Sequence, residues 1–161
     1  MATNTNAGRI FEVCATPQQD NLTEAEFAAL TYVRVSGVGN FGETGSSTNI
    51  LTYDTWDDEV TQKGKGMTNA GDPELEVRYD PTDPGQVILR TMAETTFNYA
   101  FRVVGNDKPD NDPGSTPTIR YNRGLVTGPR QPNGRNEDFQ LDIFGLGLNQ
   151  KQITVPPTSG A

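Results

Sequence analysis

A small group of acidic residues has the composition needed for paired-carboxylate catalysis. These candidates are Asp54, Asp57, Asp58, Glu59 and Asp80. Hydrolysis of a glycosidic bond uses two carboxyl groups, one of which has its pKa raised by apolar surroundings. The residues that flank these acids are mostly polar and turn-forming. The sequence therefore favours solvated carboxylates over a carboxylate-dependent hydrolase.

Two further motifs have the residue types of a binding site without its full pattern. Asp107, Asp110 and Asp112 could offer oxygen ligands to calcium. Their spacing lacks the sixth-position glycine and twelfth-position glutamate of an EF-hand loop, so a plain turn is favoured. Residues 37–42 match G-x-G-x-x-G, but no helix pattern follows them, which excludes a dinucleotide fingerprint.

Composition excludes many kinds of catalysis. The 161 residues include no histidine and one cysteine, Cys14. Serine–histidine–aspartate triads, cysteine–histidine dyads and histidine-ligated zinc sites are therefore excluded. We predict no catalytic residue, no metal and no cofactor. No apolar run of about 20 residues exists, so we expect no membrane-spanning segment. Trp56 suits either a carbohydrate-stacking platform or an interface anchor.

Charge is distributed unevenly. The net charge is −8, and residues 1–80 carry all of it, with 13 acidic and 5 basic side chains. Residues 81–161 carry 8 side chains of each sign. The simple interpretation of this excess of acidic residues is a solvated face. The more specific interpretation is a surface that repels an anion. An acidic chain is a poor candidate for binding nucleic acid phosphates.

Few segments have helix signals. Thr23 to Glu26 form a capping box that predicts a short helix over about 24–30. Asp83 as cap, Pro84 at the first helical position and Gln86 reaching back predict a second helix over about 84–94. The segment from Ser36 to Asp72 is Gly-rich and charged, and we expect a long loop over about 36–72.

Strand signals are more numerous. Three segments alternate apolar and polar side chains, with the apolar faces Leu75/Val77/Tyr79, Phe97/Tyr99/Phe101/Val103 and Phe139/Leu141/Ile143. Weaker strands are expected at 31–38, 47–54, 119–127 and 150–155. Half-wet strands are typical of antiparallel sheets. We therefore predict a mainly β (α+β) fold, an antiparallel β-sandwich or barrel with one flanking helix. It forms a single domain over 1–161, with extended arms at 1–20 and 155–161.

The order of motifs along the chain resembles a known family. A TEAEFAAL helix precedes TYVRVSGVGNFGETGSSTNILTYDTWDD, and a GKGMTNAGDPELEVRYDPTDPGQVIL block follows. FNYAFRVV and GLVTGPRQPNGRNEDFQLDIFGLGLN come next. Over about 9–155 this resembles the major tail tube protein of long-tailed, non-contractile bacteriophages and of related gene transfer particles. The most specific part contains Gly66, Met67, Asp80, Asp83, Gly85 and Gln86. Tubes of contractile phages and bacterial secretion systems share the fold, so the resemblance does not by itself exclude a sheathed tube.

The resemblance implies a structural role in a virion tail. It implies self-assembly in the host cytoplasm into hexameric rings, which stack as a hollow tube that DNA crosses during ejection without specific binding. Further partners would be a tape measure protein, a tail terminator and distal tail proteins. Ring contacts are expected from Trp56, Asp57, Asp58, Glu59, Lys63, Lys65 and Met67. Lumen-facing candidates are Glu76, Asn98, Gln140 and Asp142. The alternative is a monomeric β-sandwich that recognises carbohydrate or a host surface through Trp56.

Overall fold

The computed structural model describes residues 3–160, which form two helices and an array of short strands. The helices are α1 (Glu24–Ala29) and α2 (Pro84–Ala93). The strands are β1 (Ile10–Val13), β2 (Val33–Val35), β3 (Val38–Phe41), β4 (Ser47–Tyr53), β5 (Gln62–Asn69), β6 (Glu74–Arg78), β7 (Tyr99–Val104), β8 (Ile119–Arg130), β9 (Leu141–Leu148) and β10 (Ile153–Val155).

Most strands belong to one antiparallel sheet. Its order is β2-β1-β7-β8-β9-β6-β3, and β10 pairs with the beginning of β8. The first half of β8 pairs with β7 and the second half with β9, so this long strand joins the two halves of the sheet. β4 and β5 form a separate two-stranded sheet. We call the eight-stranded sheet with its two helices the body.

The two edges of the large sheet are joined by a very short crossover. β2 and β3 lie at opposite edges, yet only Ser36 and Gly37 separate them. Three residue steps span at most about 10 Å, so the sheet must curl until its edges nearly meet. Gly37 has a φ of +79°, a backbone conformation that glycine adopts without strain. Across the seam, the Phe11 and Phe41 rings meet edge-on at 5.1 Å.

The crossover is held by residues at the start of α2. Asp83 caps the helix, because its Oδ2 accepts from the Gln86 backbone N–H at 3.0 Å, and it also accepts from the Ser36 N–H at 3.2 Å. The Gln86 side chain is fully buried and donates to the carbonyl oxygens of Ser36 and Arg78 at 2.8 Å each. Its Oε1 accepts from the Asp80 N–H at 3.0 Å. We call this set of contacts the latch.

Gly85 completes the latch by its lack of a side chain. A Cβ atom at this position would overlap the carbonyl oxygen of Arg34 in β2. Glycine therefore lets the first turn of α2 lie directly against the strand backbone. The motif Asp80, Asp83, Gly85, Gln86, which stood out in the sequence, is thus explained by the packing of the body.

The core has two parts, one on each face of the sheet. The larger cluster fills the inside of the curl, where Leu89 and Met92 of α2 pack against side chains such as Phe101 and Phe144. The smaller cluster lies under α1, where the Phe27 ring stacks on Tyr121 at 5.1 Å. Ala100 of β7 belongs to this second cluster, so the middle of the sheet is covered on both faces.

The fold class is confirmed, with corrections in detail. The antiparallel, mainly β architecture is as predicted, and the two helices begin at the predicted residues. The long loop over 36–72 is wrong, because it contains β3, β4 and β5. Within the predicted N-terminal arm, Ile10–Val13 is a strand flanked by β2 and β7. In the C-terminal arm, Thr158 pairs with Thr116 through two backbone hydrogen bonds. Residues 1, 2 and 161 of these arms lie outside the described residues.

The predicted face of the 139–143 segment is inverted. Phe139 precedes β9 and is 74% exposed, whereas Asp142 is fully buried. The strand runs on to Leu148, and its buried face is Asp142, Phe144, Leu146 and Leu148. A shift of one residue in a period-two pattern exchanges the two faces. Here the stronger apolar series begins at Phe144, and it determines which face packs inward.

Candidate functional site

β4 and β5 form a hairpin whose strands pair only with each other. We call residues 47–69 the hairpin and residues 54–61, which connect its strands, the tip. Register runs from Ser47 opposite Asn69 to Tyr53 opposite Gln62, with one irregularity near the base. The Thr48 and Thr68 hydroxyl groups share a hydrogen bond of 2.8 Å there. Both long edges of this ribbon are without a strand partner within the described chain.

The hairpin exposes an unusual amount of apolar side chain. Large apolar residues with more than half of their surface exposed occur along its whole length: Ile50 (68%), Leu51 (61%), Tyr53 (76%), Trp56 (106%), Val60 (73%) and Met67 (82%). Gly64 lies opposite Leu51, and a Cβ atom added to Gly64 would contact no other atom. Apolar groups gathered this way on a soluble surface mark an interaction site.

A free two-stranded ribbon is only marginally stable in water. Neither face of this hairpin is covered, since no residue of β4 or β5 is buried. Unpaired strand edges also offer backbone groups to another chain. The hairpin therefore has the properties of an element that a neighbouring molecule would cover.

The tip combines one large aromatic ring with a concentration of negative charge. Trp56 stands between Asp54 and the acidic run Asp57, Asp58, Glu59, and no basic residue occurs from 54 to 62. Inside the tip, the Thr55 hydroxyl donates to Asp58 Oδ2 at 3.0 Å. The basic side chains of the hairpin, Lys63 and Lys65, point to one face of β5. The tip is thus an acidic and apolar surface at the end of a ribbon.

The residues expected at ring contacts all fall within this hairpin. Trp56, Asp57, Asp58 and Glu59 lie in the tip, and Lys63, Lys65 and Met67 lie on β5. Their contact with a neighbouring subunit stays a prediction. Sequence reasoning missed Ile50, Leu51, Tyr53 and Val60 as members of the same surface. The sequence could have indicated them, because they are apolar residues in a segment that lacks the alternation of a strand with one buried face.

The four lumen candidates do not share one face of the sheet. Val77 of β6 lies opposite Asp142 of β9, so those two side chains point inward, and neighbouring Glu76 points outward. Asn98 and Gln140 lie just outside the strands; Asn98 accepts a hydrogen bond from Asn149 at 2.6 Å. The placement of Asp142 on a wet surface is wrong. It is buried and bonded to Arg90 at 3.1 Å.

Asp142 belongs to a buried polar network. Its Oδ2 accepts from Arg90 Nε at 3.2 Å and Nη2 at 3.1 Å, and its Oδ1 accepts from the Gln131 amide at 3.0 Å. Arg90 also donates to Gln86 Oε1 at 3.0 Å and lies over the Tyr79 ring at 5.0 Å. Burying a carboxylate without such partners would be energetically costly, so these hydrogen bonds are required for Asp142 to lie inside the body. The network extends the latch to β9.

The other acidic candidates lack the surroundings of a catalytic pair. Hydrogen bonds from the Thr82 hydroxyl and backbone N–H lower the pKa of Asp80 below its ordinary value, whereas a general acid needs a raised one. In the 107–112 turn, Asp107 accepts from the Thr118 hydroxyl and N–H, and Asp110 accepts from Ser159. Among the described residues, no group of three or more cysteine or acidic side chains is arranged to hold a metal.

Comparisons with known proteins place the fold. No family model matches the sequence, and no curated protein does so. Within residues 3–160, neither helix is both long and apolar enough to cross a bilayer. Several solved structures resemble the chain, and two of them, both from phage-tail-like particles, do so over almost its full length.

The first is a chain in the PVC extracellular contractile injection system, from a structure of its sheath/tube terminator in the extended state. It has a TM-score of 0.67 at 9% identity, and covers 96% of this chain and 98% of its own. The second is a chain in the six-fold symmetrised baseplate of the anti-feeding prophage. It has a TM-score of 0.65 at 8% identity, with 97% and 98% covered. The fold is therefore tail-tube-like, and the likeness does not single out non-contractile tails.

Proposed function

We propose that this protein is a structural subunit of a phage-type tail that assembles with copies of itself. The observation that carries the proposal is the hairpin, whose apolar residues are 61–106% exposed and whose edges are unpaired. Such an element is unfavourable in an isolated monomer and gains stability when a second molecule covers it. A fold shared with chains of tail-like particles supports the same role.

In its finer form, the proposal is that subunits form hexameric rings stacked into a hollow tube. The hairpin would bridge adjacent rings through Trp56, Met67 and the charged side chains between them. DNA would cross the lumen without specific binding, since a net charge of −8 disfavours phosphate contact. The proposed tube would meet a tape measure protein, a terminator and distal tail proteins in the virion. Catalysis, a metal and a cofactor form no part of this role.

The proposed lumen surface is the outward face of the sheet around β6 and β9. Glu76 lies on it, opposite Ile143, and Glu74 and Arg130 form an ion pair at its border. α1 covers the other half of the sheet and leaves this half open. Of the four lumen candidates, Glu76 is the strand residue that lies on this open face, and Asp142 is withdrawn from the set.

The test is the oligomeric state of the full-length protein. Sedimentation velocity across salt and protein concentrations, with negative-stain microscopy of the heaviest fraction, should give rings or tubes. Trp56 is the single tryptophan, so its emission should shift to shorter wavelength as assembly covers it. Persistent monomers under all conditions would contradict the proposal. Monomers whose Trp56 emission is quenched by saccharides would support the carbohydrate-binding module instead.

A matched pair of variants separates assembly from folding. Asp57→Lys with Asp58→Lys reverses two charges at the tip, and Glu94→Lys with Glu137→Lys makes the same net change at exposed positions outside the hairpin. The tip variant should lose assembled material, while the control assembles normally. At dilutions where nothing assembles, both should have the melting temperature of the wild-type monomer. Wild-type assembly by the tip variant would remove the tip from the contact.

A further inference from the structure

A groove opens in the body where β1 continues past the end of β2. β2 covers residues 11–13 of β1, so Ile10 has a partner on one side alone, Val104 of β7. The opposite bank is the unpaired edge of β3. The groove is lined by Asn6, Arg9, Ile10, Phe11, residues 38–41 and Val103. Its floor is apolar, because the Phe11 and Phe41 rings meet there.

Two arginines give one end of this groove a positive charge. An adjoining cavity shares Asn6 and Arg9 with the groove and adds Asp107 and Arg120. Burial, and then the like charge of Arg120, lower the pKa of Arg9, with Asp107 acting in the opposite direction. None of the ion pairs among residues 3–160 includes Arg9 or Arg120.

Asp107, the carboxylate that lines the adjoining cavity, offsets one of these two positive charges and leaves the other uncompensated. Hydrogen bonds from the Thr118 N–H and hydroxyl hold this carboxylate in place. Arg9 donates to the neutral Asn6 side chain at 2.9 Å. Two guanidinium groups beside an apolar floor are suited to an occupant that combines carboxylates with an apolar ring.

The tip has that combination of groups. It presents Trp56, which is fully exposed, beside Asp57 and Asp58. Because Trp56 contacts nothing that covers it, the tip does not occupy the groove of its own chain. A seven-residue strand such as β4 spans about 23 Å, enough to carry the tip to a second molecule.

We propose that the groove of one copy receives the tip of a second copy. Trp56 lies against the Phe11 and Phe41 floor, and Asp57 and Asp58 face Arg9 and Arg120. This inference rests on the proposed function and names the surface that receives the hairpin. Donor and acceptor surfaces differ, so the contact is heterologous, and each added copy presents a new tip or a new groove.

A charge-swap experiment tests this contact. The tip variant is Asp57→Lys with Asp58→Lys, and the groove variant is Arg9→Glu with Arg120→Glu. Each variant alone places like charges at the contact, so its assembled fraction should fall at least tenfold. An equal mixture pairs basic tips with acidic grooves, and acidic tips with basic grooves. Sedimentation of the mixture should therefore recover assembled material, with both chains present in it.

The outcomes distinguish this inference from the function on which it rests. Wild-type protein that never assembles would overturn both. Wild-type assembly that is lost in the tip variant and retained in the groove variant would overturn the groove alone. Arg135→Glu with Lys151→Glu is the control, since it makes the same net change at exposed positions away from the groove and the adjoining cavity.

A cross-linking measurement keeps the test decisive if the groove variant fails to fold. One chain carries Asp57→Cys and the other carries Val38→Cys, at the rim of the groove. The native Cys14 is buried and contributes little background. Mild oxidation of the mixture should give a covalent heterodimer well above that from Asp57→Cys with Glu137→Cys. A yield equal to this control would overturn the proposal.

Discussion

The body and the hairpin follow opposite rules of burial within one chain. In the body, buried polar side chains at the latch are paired: Asp142 is completely buried with three hydrogen bonds, and Gln86 has its amide fully used. Asn122 of β8 is an exception, because its buried amide has no hydrogen-bond partner within the described chain. In the hairpin, Trp56 and Met67 are left in water. The difference separates a body that packs its own core from a hairpin whose large apolar side chains are not covered by the described chain, as the proposed contact with a second copy requires.

The comparison is tested most strongly by removing a carboxylate from each region. Asp142→Ala leaves the Arg90 guanidinium without its buried partner and should lower the free energy of unfolding by about 3 kcal/mol. Asp57→Ala in the tip should change it by less than about 0.5 kcal/mol. Urea denaturation followed by circular dichroism measures both. Equal losses at the two sites would break the distinction between the regions.

A second pair of substitutions removes an amide from each region. Gln86→Leu leaves the Ser36 and Arg78 carbonyl groups and the Asp80 N–H without their partner, at a cost of about 1–3 kcal/mol. Gln62→Leu at the start of β5 removes one exposed contact, to the Val60 carbonyl, and should be nearly neutral. The same denaturation experiment reports on both. A neutral Gln86→Leu would show that the latch does not hold the crossover.

Removing the aromatic ring of Trp56 tests whether the hairpin contributes to self-association more than to folding. Trp56→Ala should leave the unfolding free energy within about 0.5 kcal/mol of the wild type. It should weaken self-association at least tenfold, about 1.4 kcal/mol. Phe139→Ala is the control, because Phe139 is exposed but belongs to the body. Sedimentation equilibrium gives the association constants, and equal effects of the two changes would contradict a special role of the tip.

The smallest expected effect is the pH dependence of the body. Hydrogen bonds from Thr82, Thr118 and Ser159 hold the pKa values of Asp80, Asp107 and Asp110 below the ordinary 3.8. Folded carboxylates of lowered pKa stabilise above the ordinary value, and the contribution is lost as pH falls through the folded value. Without histidine, the melting temperature should be flat from about pH 5.5 to 8.

Calorimetry at intervals of pH checks this profile. The melting temperature should fall below about pH 4, and Asp107→Asn should reduce the size of that fall because Asp107 is then no longer titrated. Asp57→Asn is the matched change in the tip, and it should leave the profile of the body unchanged. A transition near pH 6.5 would contradict the expectation, since no side chain of this chain ordinarily titrates there.

Sequence patterns predicted the body better than the hairpin for a physical reason. Period-two alternation arises when one strand face is buried, so β6 and β7 were found through Leu75, Val77, Tyr99 and Phe101. β5, with Lys63, Gly64, Lys65 and Gly66, has no buried face. It therefore carries no alternation, and its segment was predicted as loop.

The contact role of the site residues stays a prediction, and the structural element that carries them was not foreseen. Trp56 and Met67 lie in a segment that was predicted as loop. The burial of Asp142 could not be predicted, because its partner Arg90 lies 52 residues away on α2. The groove is formed by β1 with the residues before it, β3 and Val103 of β7, which the sheet brings together. No local pattern connects Arg9 with Arg120.

The short crossover between β2 and β3 has a consequence for biosynthesis. β3 is held by β6, and β6 by β9, which ends at Leu148. β1 must wait for β7, since Phe11 pairs with Val103. A chain still on the ribosome therefore has no complete groove until nearly all of it has been translated. In the proposed contact, a nascent chain would offer the tip of another copy no complete groove, so only finished subunits would accept one.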